Sequence, residues 1–588
     1  MVRRRFDPVA PHEQRGPELS EDRKLWLPSN LGRRQFIIGA GAAGVLAACG
    51  GDDDTAANTT APSGTTAPSG TTGATDPAGT TAPGSPATTA PAVTETTVPA
   101  GGIKSGGTLR VGLVGSTNDL MDAQYIVSRA DQARLISGWE PISNYDDNFN
   151  IAYNNSLAEE IEALAPDQYV IRLKQGIEFH NGKTVGADDL IYSFNRLIDP
   201  ELGIAPNLTQ FIDVNSFTKL DERTVEINLL KPSVAFLYGL ADYGATIVPV
   251  DYARFDGDPS TQIGTGAFKL QSFTPGSESV HVRFENYWGD SYLDEVQIID
   301  FADQSALVNA LSSGDIDVAI DLPYAQAGAV ESDSELVLLE ASNGNWQTIT
   351  MRVDVAPFDD VRVRQAMRLI VNREEMVQRV LSGHGRVGND MYGVLDGSYP
   401  SDFPQREQDL EQAKALLAEA GLADAEFEVF APDDTAGLPE YVTAFAEQAQ
   451  SGGINVKATV LDGGTYWGEG GYLERPFATS YWSTRPYLNQ VGAGSLPTAT
   501  YPETRWPPEG SNFIELYDQA IAEVDTEKRN EIIREMQRQE YEEGGNIISY
   551  FQNLIDGHAS YVKGAVARPN LLNFDHFGRG WKNIWLDL

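Results

Sequence analysis

Cysteine is almost absent from this chain: Cys49 is the single one among 588 residues. One cysteine cannot form an intrachain disulfide, and it supplies no thiolate cluster for zinc. The six histidines are scattered, and no two stand three or four residues apart, as a metal site on one helix face would require. We therefore predict neither a metal site nor a cofactor.

Basic residues are also few. The chain has 43 Lys and Arg against 84 Asp and Glu, which gives a formal net charge of −41 at pH 7. Such a surface repels the phosphate backbones of DNA and RNA, so the charge argues against a nucleic-acid-binding protein. We interpret the acidic excess as a source of solubility in an exposed compartment.

Catalytic signatures are missing as well. No Gly-x-Ser-x-Gly elbow occurs. Gly182-Lys183-Thr184 lacks the upstream glycine spacing of a phosphate loop, and Gly264-Thr265-Gly266 is followed by Lys269 instead of the glycine of a dinucleotide loop. Adjacent carboxylates such as Asp188 and Asp189 are predicted to lie on a solvated face. We therefore predict no catalytic residue and no enzymatic activity.

The most apolar run, residues 36–48, is shorter than the ~20 residues that cross a bilayer. It follows the pair Arg33-Arg34 and ends in Leu46-Ala47-Ala48-Cys49. This arrangement resembles the twin-arginine signal and lipobox of bacterial lipoproteins. The resemblance implies that 1–48 is a signal peptide and that Cys49 carries a diacylglyceryl group at the mature N-terminus. The alternative is a buried cysteine in an alanine-rich helix.

After Cys49, the segment up to residue 106 consists almost wholly of Gly, Ser, Thr, Ala, Pro and Asp. This composition cannot bury a core, so we predict that 49–106 is a disordered linker that holds the remainder of the chain away from a membrane.

The body, from residue 107 onward, alternates strand and helix patterns. Residues 108–114 and 169–173 are predicted strands. Asp409 and Asn372 are predicted to cap helices that end near Gly421 and Gly383. Strands interspersed with helices predict an α/β fold.

Several ordered stretches resemble the peptide, nickel and opine class of extracellular solute-binding proteins, known as family 5. The stretch Tyr169–Lys183, followed by Ala187-Asp188-Asp189-Leu190, is the best known of them, and 357–366, Pro-Phe-Asp-Asp-Val-Arg-Val-Arg-Gln-Ala, is the most specific. Further matching stretches are 263–270, 286–289, 311–317, 525–529 and 562–564. Together they cover nearly all of 107–588.

This resemblance implies a periplasmic-binding-protein-like fold with two α/β lobes, a hinge, and the ligand enclosed between the lobes. The first lobe would comprise 107–344 plus 550–588, with an inserted subdomain at about 141–238, and the second lobe 345–549. Closure about the hinge would produce the form that a permease selects.

The function implied is that of a monomeric substrate-binding lipoprotein of an ABC importer on the extracytoplasmic face of the bacterial cell membrane. It would deliver a small peptide or peptide-like solute to permease and ATPase subunits. Two alternatives remain open: a ligand sensor without a transport role, and a secreted hydrolase.

Ligand contacts are expected at Asn345 and Trp346, where the chain first crosses between lobes, at Tyr481 and Trp482 in the second lobe, and at Tyr125. Aromatic rings give a large contact area at little rotamer cost. The alternative for both tryptophans is a place in the core.

Arg485 departs from the family pattern. In peptide-binding relatives, an aspartate stands three residues after the tryptophan of this stretch and pairs with the α-ammonium group of the peptide; here that position is Arg485. A guanidinium repels an ammonium group but binds a carboxylate through two parallel N–H bonds. We therefore expect a ligand with an anionic group, such as an opine or another carboxylated amino-acid conjugate. The alternative is an ion pair between Arg485 and Asp462 or Glu469.

Overall fold

The computed structural model describes residues 102–588, apart from 127, 147–148, 200, 203–207, 209, 434, 469, 500, 570–573 and 575–579. The predicted signal peptide, Cys49 and most of the predicted linker lie outside the described residues.

Twenty strands are formed by the described residues. They are β1 Thr108–Val114, β2 Asn144–Tyr145, β3 Ile151–Ala152, β4 Ala158–Ala165, β5 Gln168–Leu173, β6 Phe217–Lys219, β7 Thr224–Asn228, β8 Phe268–Thr274, β9 Glu278–Arg283, β10 Glu295–Phe301, β11 Val318–Ala319, β12 Leu336–Met351, β13 Gly385–Val387, β14 Glu426–Pro432, β15 Asn455–Leu461, β16 Phe477–Trp482, β17 Asn546–Ile547, β18 Tyr550–Ala559, β19 Val562–Lys563 and β20 Trp585–Leu586.

The α-helices of the same residues are α1 Arg129–Gly138, α2 Ala187–Leu197, α3 Ala235–Gly239, α4 Gln304–Ser313, α5 Ala327–Glu331, α6 Val361–Leu369, α7 Arg373–Leu381, α8 Leu410–Glu419, α9 Leu438–Ser451, α10 Gly463–Trp467, α11 Tyr487–Gln490, α12 Phe513–Ala522 and α13 Thr526–Glu543. Short 3₁₀ turns occur at Pro259–Thr261, Tyr324–Gln326, Tyr472–Glu474 and Trp581–Asn583, and a π-helical turn at Val491–Ser495.

Two long antiparallel strands, β12 and β18, connect the two halves of a twelve-stranded sheet. Its order is β15-β14-β16-β12-β18-β11-β1-β10-β9-β8. In addition, β13 pairs with β18, and β17 pairs with β12. We call the part built on β1 and β8–β11 the first lobe, and the part built on β14–β16 the second lobe. The register of β12 against β18 shifts between Ala341 and Asn345, where β12 passes from one lobe to the other. The expected α/β fold with two lobes is confirmed.

A separate four-stranded sheet, in the order β4-β5-β7-β6, lies within the segment predicted as an inserted subdomain. It has its own apolar core, which includes Tyr169, Ile171, Phe194 and Phe236. The exact lobe and subdomain boundaries stay predictions.

Local sequence signals placed several elements correctly. Asp409 accepts a hydrogen bond from the Gln412 amide at 2.8 Å and begins α8, and Asn372 accepts one from Glu375 at 3.0 Å and begins α7. Gly266 lies against the backbone of Gly138, where a Cβ would come within 2.7 Å of the carbonyl carbon. The two capping side chains are local requirements, so they can be read from the sequence, whereas the approach of Gly266 to Gly138 is a contact between distant parts of the chain.

The prediction of a solvated face for Asp188 and Asp189 was wrong for Asp189. Its side chain is 3% exposed and binds the Lys183 ammonium. It also accepts hydrogen bonds from the backbone amides of Gly186 at 3.1 Å and Val250 at 2.9 Å. Asp189 therefore joins the start of α2 to a distant loop, while Asp188 is exposed and pairs with Lys219.

Among residues 102–588, outside the gaps given above, no helix combines the length and the apolar character that crossing a membrane demands.

A buried ionic cluster fixes the backbone between β13 and α8. The Asp390 side chain is fully buried, and it accepts hydrogen bonds from Arg373 at 2.7 Å and from Arg406. Its other oxygen accepts the Ile548 amide at 3.0 Å. Asp390 has a left-handed backbone, with φ of 58°, which asparagine also adopts readily.

We therefore predict that Asp390→Asn lowers the free energy of unfolding by about 3–5 kcal/mol, because it leaves buried Arg373 without its counter-charge while keeping shape and backbone preference. Urea denaturation measures this loss. Asp402→Asn is the matched control: Asp402 pairs with Arg534 on the surface, at 66% side-chain exposure, so its loss costs less than about 1 kcal/mol. Equal effects of the two substitutions would contradict the account of the buried cluster.

Candidate functional site

Trp346 and Trp482 face each other across two neighbouring strands. The register of β12 against β16 pairs Trp346 with Trp482, and their rings lie 6.3 Å apart with planes inclined by 20°. Trp346 is 2% exposed and Trp482 8%. Both rings are thus packed as core residues, and direct contact of either with a ligand stays a prediction.

Two tyrosines extend this pair into a four-membered arrangement, which we call the aromatic stack: Trp482, Trp346, Tyr392 and Tyr487. Tyr392 stacks on Trp346 at 5.5 Å between ring centroids, and Tyr487 stacks on Tyr392 at 5.3 Å. All four rings are buried. The stack gives the second lobe a rigid apolar base beside the point where the chain crosses between lobes.

The turn that follows β16 is tied to the lobe crossing. The Thr484 amide donates to Asn345 Oδ1 at 2.8 Å, and the Thr484 hydroxyl donates to Asn343 Oδ1 at 2.6 Å. The Gly344 amide donates to that hydroxyl at 2.9 Å. Asn345, a predicted ligand contact, therefore has its amide oxygen occupied in holding the turn that carries Arg485.

The Arg485 guanidinium lies over the face of Trp482, 5.0 Å from the ring centroid. It forms no ion pair with a carboxylate of the described residues; Asp462 instead caps α10, and Glu469 lies outside the described residues. Burial lowers the pKa of the Arg485 guanidinium. The negative charge of Asp242 and the phenol of Tyr243, both from the first lobe, raise this pKa. The guanidinium of the second lobe is therefore near polar groups of the first.

The first-lobe side of this region is built from phenol rings. Tyr145 stacks on Tyr238 at 6.4 Å and donates its hydroxyl to the Tyr238 carbonyl at 2.8 Å. Burial raises the pKa of Tyr145 and of Tyr243, so both stay neutral near pH 7. Asp242 raises the two pKa values further. The first-lobe groups that act on Arg485 electrostatically are thus neutral phenols and one carboxylate, Asp242.

The lobes touch directly beside this region. The Val234 amide donates to the Ile521 carbonyl at 2.8 Å, and Val234 packs with Tyr487 and Leu488. Arg485 therefore lies where groups from distant parts of the chain act on it, and its two terminal NH₂ groups suit a carboxylate.

Two buried glutamates support the aromatic stack. The Trp482 indole N–H donates to Glu503 at 3.0 Å, and the Tyr392 and Tyr487 hydroxyls each donate to Glu540 at 2.6 Å. Burial raises the pKa of each carboxyl to about 7.

The two remaining predicted ligand contacts, Tyr481 and Tyr125, pack against side chains outside the aromatic stack. Tyr481, half-buried on β16, makes an edge contact with Trp467 at 6.0 Å between ring centroids. Tyr125 lies beneath the Arg254 guanidinium at 4.3 Å, and its backbone amide donates to Asp122 at 3.0 Å. The structure thus brings Asn345, Trp346, Trp482 and Arg485 together but places Tyr125 in a separate group of side chains.

Sequence reasoning missed Tyr392, Glu503 and Asp242. Tyr487 was within reach, because it stands two residues after Arg485 in the same aromatic-rich stretch. Nothing in the local pattern around Glu503 or Asp242 distinguishes them from the many other acidic residues of the chain.

A surface depression of about 440 Å³ lies elsewhere, between α7 and β13, and is lined by residues such as Glu374, Gln378 and Val387. It is open to solvent and contains no member of the aromatic stack, so we do not assign the ligand to it.

Sequence relatives of the chain include binding proteins. The chain is 26% identical over 467 residues to the dipeptide-binding protein of Escherichia coli K12, which covers 72% of this chain and 84% of that protein. It is 30% identical over 277 residues to heme-binding protein A of Haemophilus influenzae, covering 43% of this chain and spanning about half, 51%, of that relative.

Solved structures with the same fold include DppA of Helicobacter pylori in complex with the peptide STSA, at a TM-score of 0.67 and 19% identity. Another is AgaA of A. tumefaciens R10 in complex with agropinic acid, at 0.67 and 23%. Each covers 82% of this chain and 99% of the solved chain.

Residues 152–496 match the model of the bacterial extracellular solute-binding proteins, family 5 (middle). That span is more than half of the chain and includes the aromatic stack and Arg485. The resemblance drawn from the sequence motifs is confirmed: the protein belongs to the bacterial extracellular solute-binding proteins of family 5, and it is a binding protein, not an enzyme.

Proposed function

We propose that this protein is the substrate-binding lipoprotein of an ABC importer and that it captures a peptide-like solute with a carboxylate group between its two lobes. The observation that carries the proposal is the position of Arg485. Its guanidinium is stacked on Trp482 at the lobe interface and is not paired with a carboxylate of the described residues.

The charge of this position favours an anionic ligand group over an ammonium group. A guanidinium offers only hydrogen-bond donors, and the ring beneath it keeps its plane fixed. Partial burial strengthens its attraction for a carboxylate, because the surrounding medium screens less than water does. The phenols of Tyr145 and Tyr243, which act on Arg485 electrostatically, are neutral near pH 7 because burial raises their pKa values, so they bring no negative charge that would compete with a ligand carboxylate.

Several relatives and structural neighbours are named for peptide-like ligands. They include a dipeptide-binding protein, glutathione-binding proteins and a protein in complex with agropinic acid. Two lobes joined by β12 and β18 would close around such a solute, and the closed form would be selected by permease and ATPase subunits.

Anchoring to the extracytoplasmic face of the cell membrane is part of the proposal. It rests on Arg33-Arg34, the apolar run 36–48 and Cys49. Two acyl chains on one cysteine give stable attachment, whereas a single chain gives only marginal binding. The linker would then let the binding domain move near its permease while it stays attached.

Binding of matched dipeptides tests the ligand charge. We predict that succinyl-alanyl-alanine, which carries a carboxylate in place of the α-ammonium group, binds more tightly than alanyl-alanine. Arg485→Ala should weaken binding of the succinyl peptide by roughly 2–5 kcal/mol, measured by isothermal titration calorimetry, because an enclosed charge-assisted pair is lost.

Arg475→Ala is the matched control. Arg475 also stacks on an aromatic ring, 4.3 Å from the centroid of Phe430, but it precedes β16 whereas Arg485 follows it. Its removal should leave the affinity unchanged. Tightest binding of alanyl-alanine, or an unchanged affinity of Arg485→Ala for the succinyl peptide, would refute the anionic assignment.

Fractionation of the producing cells tests the anchor. We predict that Cys49→Ala releases the protein from washed membranes, because the thiol that receives the lipid is gone, and that replacing Arg33 and Arg34 by Lys prevents export. Immunoblots of membrane, soluble and cytoplasmic fractions measure both effects. Complete retention of Cys49→Ala in salt-washed membranes would rule out lipid attachment at this residue.

A further inference from the structure

Glu503 occupies the edge of Trp482, on the ring whose face carries Arg485. Its Oε2 accepts the Trp482 indole N–H at 3.0 Å, and its Oε1 accepts the Ser480 hydroxyl at 2.5 Å. Both donors belong to β16. The residue is 6% exposed, so solvent does little to screen its charge.

Arg485 is the cation that acts on this carboxyl group. The other titratable groups that interact with it electrostatically are the phenols of Tyr466 and Tyr472, on the segment of α10 and the following 3₁₀ turn. Both phenols have pKa values raised by burial and are neutral near pH 7. Tyr501, two residues earlier, interacts with both Tyr472 and Arg485. From the first lobe, Asp242 acts on Arg485 itself.

In this arrangement, the charge of Glu503 affects how strongly Arg485 attracts an anion. An ionised Glu503 attracts the guanidinium and repels a carboxylate bound on its outer side. A protonated Glu503 still accepts the indole hydrogen bond through its carbonyl oxygen, but it no longer repels the anion. Burial raises its pKa to about 7, so both forms exist near neutral pH.

We propose that Glu503 is a positioning residue that holds Trp482 and makes anion binding at Arg485 weaken as the pH rises. This inference rests on the proposed function. Binding and protonation are linked, so an anion that binds better to the protonated form also favours uptake of a proton by Glu503.

Glu540 is the second buried carboxyl group at the stack, and its pKa is also raised to about 7. It binds Tyr392 and Tyr487, at the other end of the stack from Trp482, with Ser495 as a third neighbour and Arg368 as the nearby cation. It therefore titrates in the same range without touching Trp482, and Glu540→Gln is the matched control.

The affinity of succinyl-alanyl-alanine, measured by calorimetry between pH 6 and pH 8, tests the proposal. We expect the wild-type protein to lose roughly fivefold in affinity over this range, because the negative charge that appears on Glu503 repels the bound anion through a partly screened medium. Glu503→Gln should bind as tightly at pH 8 as at pH 6. Glu540→Gln should keep the wild-type dependence.

If Glu503→Gln does not fold, a measurement on the wild-type protein without ligand still tests the proposal. In protein labelled with ¹⁵N-tryptophan, the indole N–H signal of Trp482, identified by its absence from Trp482→Phe, should shift with pH and have its midpoint near 7. An indole signal that does not respond to pH, or a pH dependence of affinity that persists in Glu503→Gln or vanishes in Glu540→Gln, overturns the proposal.

The outcomes separate this inference from the proposed function. If the wild-type protein does not bind the succinyl peptide, or if Arg485→Ala binds it equally well, the proposed function fails and this inference fails with it. If binding depends on Arg485 but Glu503→Gln follows the wild-type pH profile, only the role of Glu503 is refuted.

Discussion

The contact between Trp346 and Trp482 is the constraint on which the site depends. It joins β12, the strand that passes from one lobe to the other, to β16, whose end carries Arg485. Because the strand register places these rings opposite each other, the turn after β16 lies at the lobe crossing and its guanidinium lies on a rigid surface. Asn343 and Asn345 then fix that turn through Thr484.

The stack beneath Arg485 combines apolar rings with two buried carboxyl groups. If apolar residues replaced the two glutamates, the rings could pack as well. The indole N–H and the two phenol hydroxyls would then lose these acceptors, and burying an unsatisfied polar group costs free energy. Glu503 and Glu540 satisfy those donors. Burial raises the pKa of each carboxyl to about 7, and the proposed pH effect on anion binding is assigned to Glu503, the one that binds Trp482.

The sequence predicted the fold well and the site in part. The caps at Asn372 and Asp409 are local requirements, and the ordered family stretches identify the fold. Arg485 was found because it departs from a known pattern at one position. Asp189 was misjudged because one of its partners, the Val250 amide, comes from a loop that is distant in the chain, and burial of a charge depends on tertiary structure. Glu503 and Asp242 were missed for the same reason.

The central claim is that Arg485 binds an anionic group of the solute inside the cleft. A crystal structure of the protein purified from its own host, with the solute that it retains, tests this most directly. The account predicts a carboxylate or other anionic oxygen within hydrogen-bond distance, about 3 Å, of the Arg485 guanidinium. A retained solute that places an ammonium or an uncharged apolar group against Arg485, or that lies outside the cleft, would contradict it.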